Sequence, residues 1–533
     1  MSTLLAAPFA APLIAAGLGL LLRRSTTAQR TLMGVLMLVM LVDAVALVRA
    51  TADGVVVATR IGDWPAGLGI PFAADGLAAL LLVAMVLMAS FALLFAAARG
   101  EDRHPLFHPV AAVTLAGVFG AVLTADLFNL FVAFEVMLIG SYVLLTLRGS
   151  RSQVRAGTIY VAVNLLASTA FVGGIALVYG TAGTVAFIDL ADAVDREPAT
   201  AVGLAIIIVA ISVKASLVPM HTWLPRTYVE AGPAVTALFS GLLTKAGVYV
   251  LLRLSSVVIG DAPQVRELLL ALALITMVIG VLGAIGRSDV RGILAFHMVS
   301  QVGYLLLPLG IWTVAGVTAG IVYLLQYILV KGALFLAAGT IETLTGTGRL
   351  DRLGGMLRTH PSVAIGFLLP ALALAGLPPS SGFVGKVLLI RAAFEDQQLL
   401  AGGIAVAVSL FTLLSMMKIW TGVFWGEPAV VVTEEVEHGA LGLPVPAGGA
   451  GDDDPPGAAR AATVNVGVAA DAHHREGRPL SRRALAGMIG PAVLVGLLTI
   501  IAGIGAQELI ELVEPAARNL IDPTPYLEAV RNA

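Results

Sequence analysis

Cysteine is absent from all 533 residues, which excludes disulfides, iron–sulfur ligation and zinc–thiolate sites within the chain. Charge is scarce as well: Asp, Glu, Lys and Arg together make up 12%, and the formal net charge is −2. So neutral a balance offers neither a basic surface for nucleic acid nor a polybasic attachment to lipid headgroups. Walker motifs, dinucleotide fingerprints in a strand–helix context and a convincing haem ligand pair are also missing, so no cofactor is expected. What is present is apolar surface. Hydrophobic residues reach 58% and mean hydropathy is +0.94, values that belong to an all-α integral membrane protein and not to a soluble domain.

A helix crossing the hydrocarbon core needs about 20 apolar residues, and the chain holds about fourteen such runs. The first, "LLAAPFAAPLIAAGLGLLLRR", has no basic leader and ends on arginines, so it is expected to be a retained helix and not a cleaved signal. Alternating the connections between two sides separates the arginines. One side collects Arg23, Arg24, Arg30, Arg99, Arg103, Arg148, Arg151, Arg155, Arg226, Arg287, Arg291, Arg349, Arg352 and Arg358; the other only Arg49, Arg60, Arg196, Arg253, Arg266 and Arg391. The positive-inside rule assigns the richer side to the cytoplasm, with both termini extracytoplasmic in a bacterial-type cell membrane. Residues 427–482, rich in Gly, Pro and Ala, are expected to form a flexible cytoplasmic loop. Its "GDDDPPG" lacks EF-hand spacing and reads as a solvated linker, so no metal site is expected.

Against this background a few ionisable residues stand out. Glu135 lies in "DLFNLFVAFEVMLIGSYVLL", Lys214 in "AIIIVAISVKASLVPMHTWLP", Lys245 in "LFSGLLTKAGVYVLL", Lys331 in "IVYLLQYILVKGALFLAAGT" and Lys386 in "GLPPSSGFVGKVLLIRAAF". A charge at membrane depth is costly unless paired, hydrated or neutralised. Snorkelling or a static pair would account for one such lysine. Four lysines and a glutamate in the interiors of separate spans favour a proton path. Desolvation favours the neutral form of each group and an opposite charge restores the charged one, so moving a partner switches the lysine. Two lysines sit beside helix breakers, Pro219 after Lys214 and Pro378 and Pro379 before Lys386, and broken helices recur in secondary transporters. His297, with Ser300 and Gln301 nearby, suits a water chain, although a histidine bonded to a backbone carbonyl fits the same pattern. His221 is equally open. His104 and His108 have i, i+4 spacing, but prolines follow both and a third ligand is lacking, so an interfacial loop is expected in preference to a metal site.

Taken together and in order, "DLFNLFVAFEVMLIGSYVLL", "KASLVPMHTWLPRTYVEAGPAVTALFSGLLTKAGVY", "AFHMVSQVGYLLL" and "GLPPSSGFVGK" resemble the antiporter-like subunits shared by respiratory complex I, membrane-bound hydrogenases and multisubunit Mrp cation/proton antiporters. The likeness covers about residues 70–425 and is strongest to the D-type Mrp subunits. It implies fourteen spans with two inverted five-helix repeats containing discontinuous helices, 107–256 and 265–425, flanked by 1–106 and 484–533. It also implies roles: Glu135 and Lys214 as the pair opening a half-channel, Lys245 as central relay, His297 and Lys331 on the axis between halves, and Lys386 near the exit. The implied partners are the other subunits of a hetero-oligomeric antiporter complex, with protons and Na+ or another monovalent cation as cargo. The implied activity is secondary active transport, not enzymatic catalysis. A proton-pumping membrane subunit of a complex I-like quinone oxidoreductase or hydrogenase is the alternative. The end of the chain, "AQELIELVEPAARNLIDPTPYLEAV", is expected to form a short amphipathic segment at the outer face.

Overall fold

The computed structural model describes residues 2–64, 69–260, 262–427 and 480–533. Most of the linker expected at 427–482 therefore lies outside the described residues. The chain begins with α1 (Ser2–Leu21) and α2 (Thr26–Ala50), followed by a hairpin whose strands β1 (Val57–Arg60) and β2 (Pro71–Ala74) pair antiparallel with Val57 opposite Ala74. Next come α3 (Gly76–Arg99), α4 (Phe107–Leu123), α5 (Leu127–Thr146), α6 (Arg151–Ala182), the amphipathic α7 (Phe187–Arg196), α8 (Pro198–Ala215), the short α9 (Trp223–Thr227) and α10 (Pro233–Leu254). The remainder is α11 (Pro263–Ile285), α12 (Val290–Gly310), α13 (Val314–Thr345), the one-turn α14 (Met356–Thr359), α15 (Pro361–Ala375), α16 (Ser381–Glu395), α17 (Leu399–Val423), α18 (Arg482–Ile504), α19 (Ala506–Ile521) and α20 (Thr524–Asn532).

Among the described residues twelve helices are long and apolar enough to cross a membrane, α8 and α9 counting as one broken crossing, and α4 and α15 are shorter apolar helices. With α16 completing the crossing begun by α15, the total is fourteen. The order of elements recurs. α4, α5, α6, α8–α9 and α10 form two spans, a 32-residue span, an interrupted span and a closing span; α11, α12, α13, α15–α16 and α17 follow the same succession, again with 32 residues in the third. Arg291, at the start of α12, donates to the carbonyl of Ala231 beside the start of α10, at 2.8 Å. Glu101, just before α4, accepts from Ala234 N at 3.3 Å. These contacts bring the starts of α4, α10 and α12 to one end of the bundle, so α11 starts at the other. The two sets of five run in opposite senses.

The innermost helix is α10, all 22 of whose residues are buried. Its close approach to α3 and α13 depends on glycine. Met88 of α3 enters a notch between Gly241 of α10 and Gly332 of α13, where an added Cβ would stand 2.6 Å from Met88 Cγ on one side and overlap its Sδ on the other. At the hairpin end Arg253 in the last turn of α10 meets Asp75, the N-cap of α3, at 2.5 Å, under the ring of Tyr526 from α20. The cation ends one helix and the anion begins another, as the peptide dipoles favour. Because α1 and α20 both pack on the hairpin strands, the two described ends of the chain come to this same end of the bundle.

At the opposite end the α3–α4 turn is held by a buried carboxylate. Asp102 takes two hydrogen bonds from Arg30, at 2.6 and 2.7 Å, and faces His108 Nε2 at 3.1 Å. His108, expected in an interfacial loop, thus sits in the first turn of α4 and is occupied by this carboxylate. Burial alone would favour protonating Asp102, but the hydrogen bonds from Arg30 and His108 outweigh it and hold the carboxyl at about 2. Its stabilisation is therefore complete above the ordinary carboxylate range and fades only as pH falls toward 2. Replacing it as Asp102→Asn should lower unfolding stability by about 2 kcal/mol, the scale of charge-assisted hydrogen bonds. The deficit should persist at pH 9, well above the carboxylate range, as read by thermal unfolding in detergent.

Candidate proton-translocation site

The first polar group is a triad. Ser168 on α6 donates a short hydrogen bond to Glu135 Oε1 on α5 and accepts one from Lys214 Nζ on α8 at 3.0 Å. Lys214 and Glu135 are themselves 3.9 Å apart, so the serine hydroxyl bridges a loose ion pair. Lys214 is buried, while 27% of the Glu135 side chain is exposed at the flank of the bundle. Lys214 occupies the last turn of α8, which stops at Ala215; Ser216 turns into the left-handed region, and Pro219 and His221 lie in the connection before α9. Gly247 of α10 presses directly on Ala215, which brings the helix carrying Lys245 against this break.

Lys245 is fully buried. Its Nζ donates to the Ser240 carbonyl at 2.5 Å and to Thr244 Oγ1 at 3.1 Å, and stands 4.5 Å from the centre of the Tyr327 ring. Lys331, one turn farther along α13 than Tyr327, is within electrostatic reach of Lys245, and its Nζ has no hydrogen-bond partner among the described residues. His297 of α12 interacts in turn with the charges of Lys331 and Lys386, and its Nε2 is 2.5 Å from Ser415 Oγ on α17. Gln301, one turn along from His297, is bonded by the Tyr323 hydroxyl. Ser300, expected to join the same polar cluster, instead donates to the Met277 carbonyl at 2.9 Å. Three residues after His297, it projects toward α11 and not toward α13.

Lys386 shows why its helix is broken. In a continuous helix the carbonyls of Leu374 and Ala375 would accept from the N–H groups four residues on. Those residues are Pro378 and Pro379, which have none. Lys386 Nζ donates to both freed carbonyls, at 2.9 and 3.3 Å, and to Ser409 Oγ at 3.2 Å. Gly382 allows the two half-helices to touch, since a Cβ there would overlap the Ala373 carbonyl oxygen. The two breaks differ, because Lys214 precedes its break and reaches a serine and a carboxylate, whereas Lys386 follows its break and takes the carbonyls.

The structure therefore gathers Glu135 with Lys214, and Lys245, Lys331, His297 and Lys386 into one buried polar succession, while His221 stays in the connection after α8. Sequence reading passed over Ser168, Ser409 and Ser415. Their signal was present in "NLLAS", which sets Asn164 and Ser168 one turn apart, and in "SLFTLLS", which repeats a hydroxyl every third residue.

Residues 124–412 match the NADH:quinone oxidoreductase/Mrp antiporter transmembrane family. This chain belongs to that family. Among its relatives is a protein of Alkalihalophilus pseudofirmus named as the D-type subunit of a Na+/H+ antiporter, 36% identical over 99% of both chains. A chain in the structure of the Mrp complex from Dietzia sp. DQ12-45-1b superposes with a TM-score of 0.87 at 40% identity, covering 99% of each. A chain of an archaeal membrane-bound sulfane sulfur reductase shares the fold, with a TM-score of 0.82 at 23% identity over 99% and 100%.

The triad makes a prediction. Removing the hydroxyl in Ser168→Ala deletes the bridge between Glu135 and Lys214 and should lower unfolding stability by about 1 kcal/mol, as read by thermal unfolding in detergent.

Proposed function

We propose that this chain is the D-type, proton-translocating subunit of a multisubunit monovalent cation/proton antiporter, in which inward protons drive Na+ outward. The observation that carries the proposal is the succession of four buried lysines and a buried histidine that begins at the partly exposed Glu135, in which only Lys214 has a carboxylate partner among the described residues. A structural pair needs its counter-ion permanently, whereas a carrier must be able to lose its charge. The family model spans both redox-driven and antiporter members, and 36% identity over 99% of both chains to a protein named as an antiporter subunit, against 23% to a chain of the reductase, favours this reading over a redox-driven membrane arm.

In the proposed sequence Glu135 holds Lys214 charged through Ser168. When the carboxylate is drawn away or neutralised, Lys214 gives up a proton, which passes to Lys245. Each hop breaks one N–H bond and makes another. Charge on Lys245 and Lys331 is mutually disfavoured, so loading one expels the proton from the other, toward His297 and then Lys386. Release from Lys386 returns its neutral amine to the carbonyls of Leu374 and Ala375. The energy is the proton gradient, and the chain acts as part of a secondary transporter and not as an enzyme. We assign 107–256 and 265–425 as the two repeats, with 1–106 and 484–533 flanking them, and orient the hairpin end and both termini extracytoplasmically.

The test is Na+-driven proton efflux in everted vesicles containing the whole complex. Omitting this chain should abolish efflux; full retention would sink the proposal. Lys245→Ala should likewise abolish it with the complex still assembled. Lys245→Arg should slow it at least about tenfold, because a guanidinium does not release its proton. An arginine variant with normal initial rates would make Lys245 a fixed charge.

A further inference from the structure

All four buried lysines face an aromatic ring, Lys214 that of Phe134 at 5.4 Å and Lys331 that of Phe335 at 5.5 Å, but among the described residues only Lys245 and Lys386 face tyrosines, which neither hydropathy nor the proton path explains. No salt bridge among the described residues involves either one, yet each ammonium faces an aromatic ring: Lys245 Nζ lies 4.5 Å from the Tyr327 centroid and Lys386 Nζ 5.0 Å from that of Tyr304. The two rings are joined by a third. Tyr323 stacks on Tyr327 at 6.1 Å with planes 12° apart and tilts against Tyr304 at 5.6 Å. Its hydroxyl is fixed on Gln301, and that of Tyr304 on the Ala405 carbonyl. All three tyrosines are buried.

We propose that Tyr327 and Tyr304 are positioning residues that hold the charged forms of Lys245 and Lys386 in place of a counter-anion, with Tyr323 locking the two rings into one seam. This rests on the relay reading above and deepens it. The face of an aromatic ring attracts an ammonium and not a neutral amine. Unlike a carboxylate, it cannot take the proton, and it leaves no bare charge behind when the lysine empties. A ring therefore biases each lysine toward its loaded state and permits release. Helical spacing builds the seam: Tyr323, Tyr327 and Lys331 follow at i, i+4 and i+8 on α13, and His297, Gln301 and Tyr304 at i, i+4 and i+7 on α12.

Other groups bear on the same equilibrium. The elements packed against α10 carry Lys331 and Glu342 on α13, Lys214 on α8, His297 and Arg291 on α12, Glu135 on α5 and Glu230 in the turn before α10; α3 has only its terminal Asp75 and Arg99, and α4 only His108 in its first turn. Those packed against α16 carry Lys331 and Glu342 on α13, Lys418 on α17 and Arg482 and Arg483 on α18; α15 carries none. None of these changes when a tyrosine is replaced.

The experiment compares Tyr327→Phe with Tyr327→Leu in the intact complex, reading initial Na+-driven proton efflux from pH 7 to 10, normalised to assembled complex. Phe keeps the ring and should retain the wild-type alkaline limb. Leu removes it, favours the neutral amine and should move that limb about one unit to lower pH, a tenfold change in proton affinity. Tyr327→Met serves as the apolar replacement if the leucine variant does not assemble. Tyr304→Phe and Tyr304→Leu should repeat the contrast. An unshifted limb in Leu or Met overturns the proposal, as does a Phe variant displaced as far as Leu, which would assign the role to the hydroxyl. Lys245→Ala run alongside separates the two readings: if it is inactive while the Leu profile is unmoved, only the ring proposal falls, and if it is active the relay reading falls with it.

Discussion

An ammonium buried between helices must be met by oxygens or by the face of a ring, and a continuous α-helix has few oxygens to offer because its carbonyls already accept from the next turn. The fold answers this requirement locally. At Lys386 two adjacent prolines withhold the amides that would have occupied the carbonyls of Leu374 and Ala375, and the lysine takes both. At Lys245 the side chain folds back on its own helix to the Ser240 carbonyl and is covered by Tyr327. At Lys214 a serine and a partly exposed glutamate serve. Each solution stabilises a charge without sealing it into a close ion pair, which is the condition that the proposed relay requires.

Such weakly held charges need a frame that does not yield. The glycine notch around Met88 brings α3, α10 and α13 within contact distance beside Lys331. The strong ion pairs are kept for the two ends of the bundle, Asp75 with Arg253 and Asp102 with Arg30. Placed there, they pin helix termini and loops where the peptide dipoles are uncompensated.

The same architecture serves proteins named as antiporter subunits and one belonging to a respiratory reductase. A scaffold of opposed five-span sets with a break in each is evidently compatible with more than one assembly, and the fold by itself does not select the energy source.

The sequence by itself determined the membrane class, the crossings, the breaks at Pro219 and at Pro378 and Pro379, and the depth of Glu135 and the four lysines. These are properties of a window of about twenty residues, where hydropathy and a missing amide act on the chain locally. Tertiary structure alone decided the partners. Ser168 meets Glu135 and Lys214 across 33 and 46 residues, and His297 meets Ser415 across 118, distances over which no periodicity carries information. Ser300 and Gln301 are neighbours in sequence, yet one turns to α11 and the other to α13. About 100° of helical rotation separates them, and only the packing of α12 between its neighbours settles which side chain faces the charges.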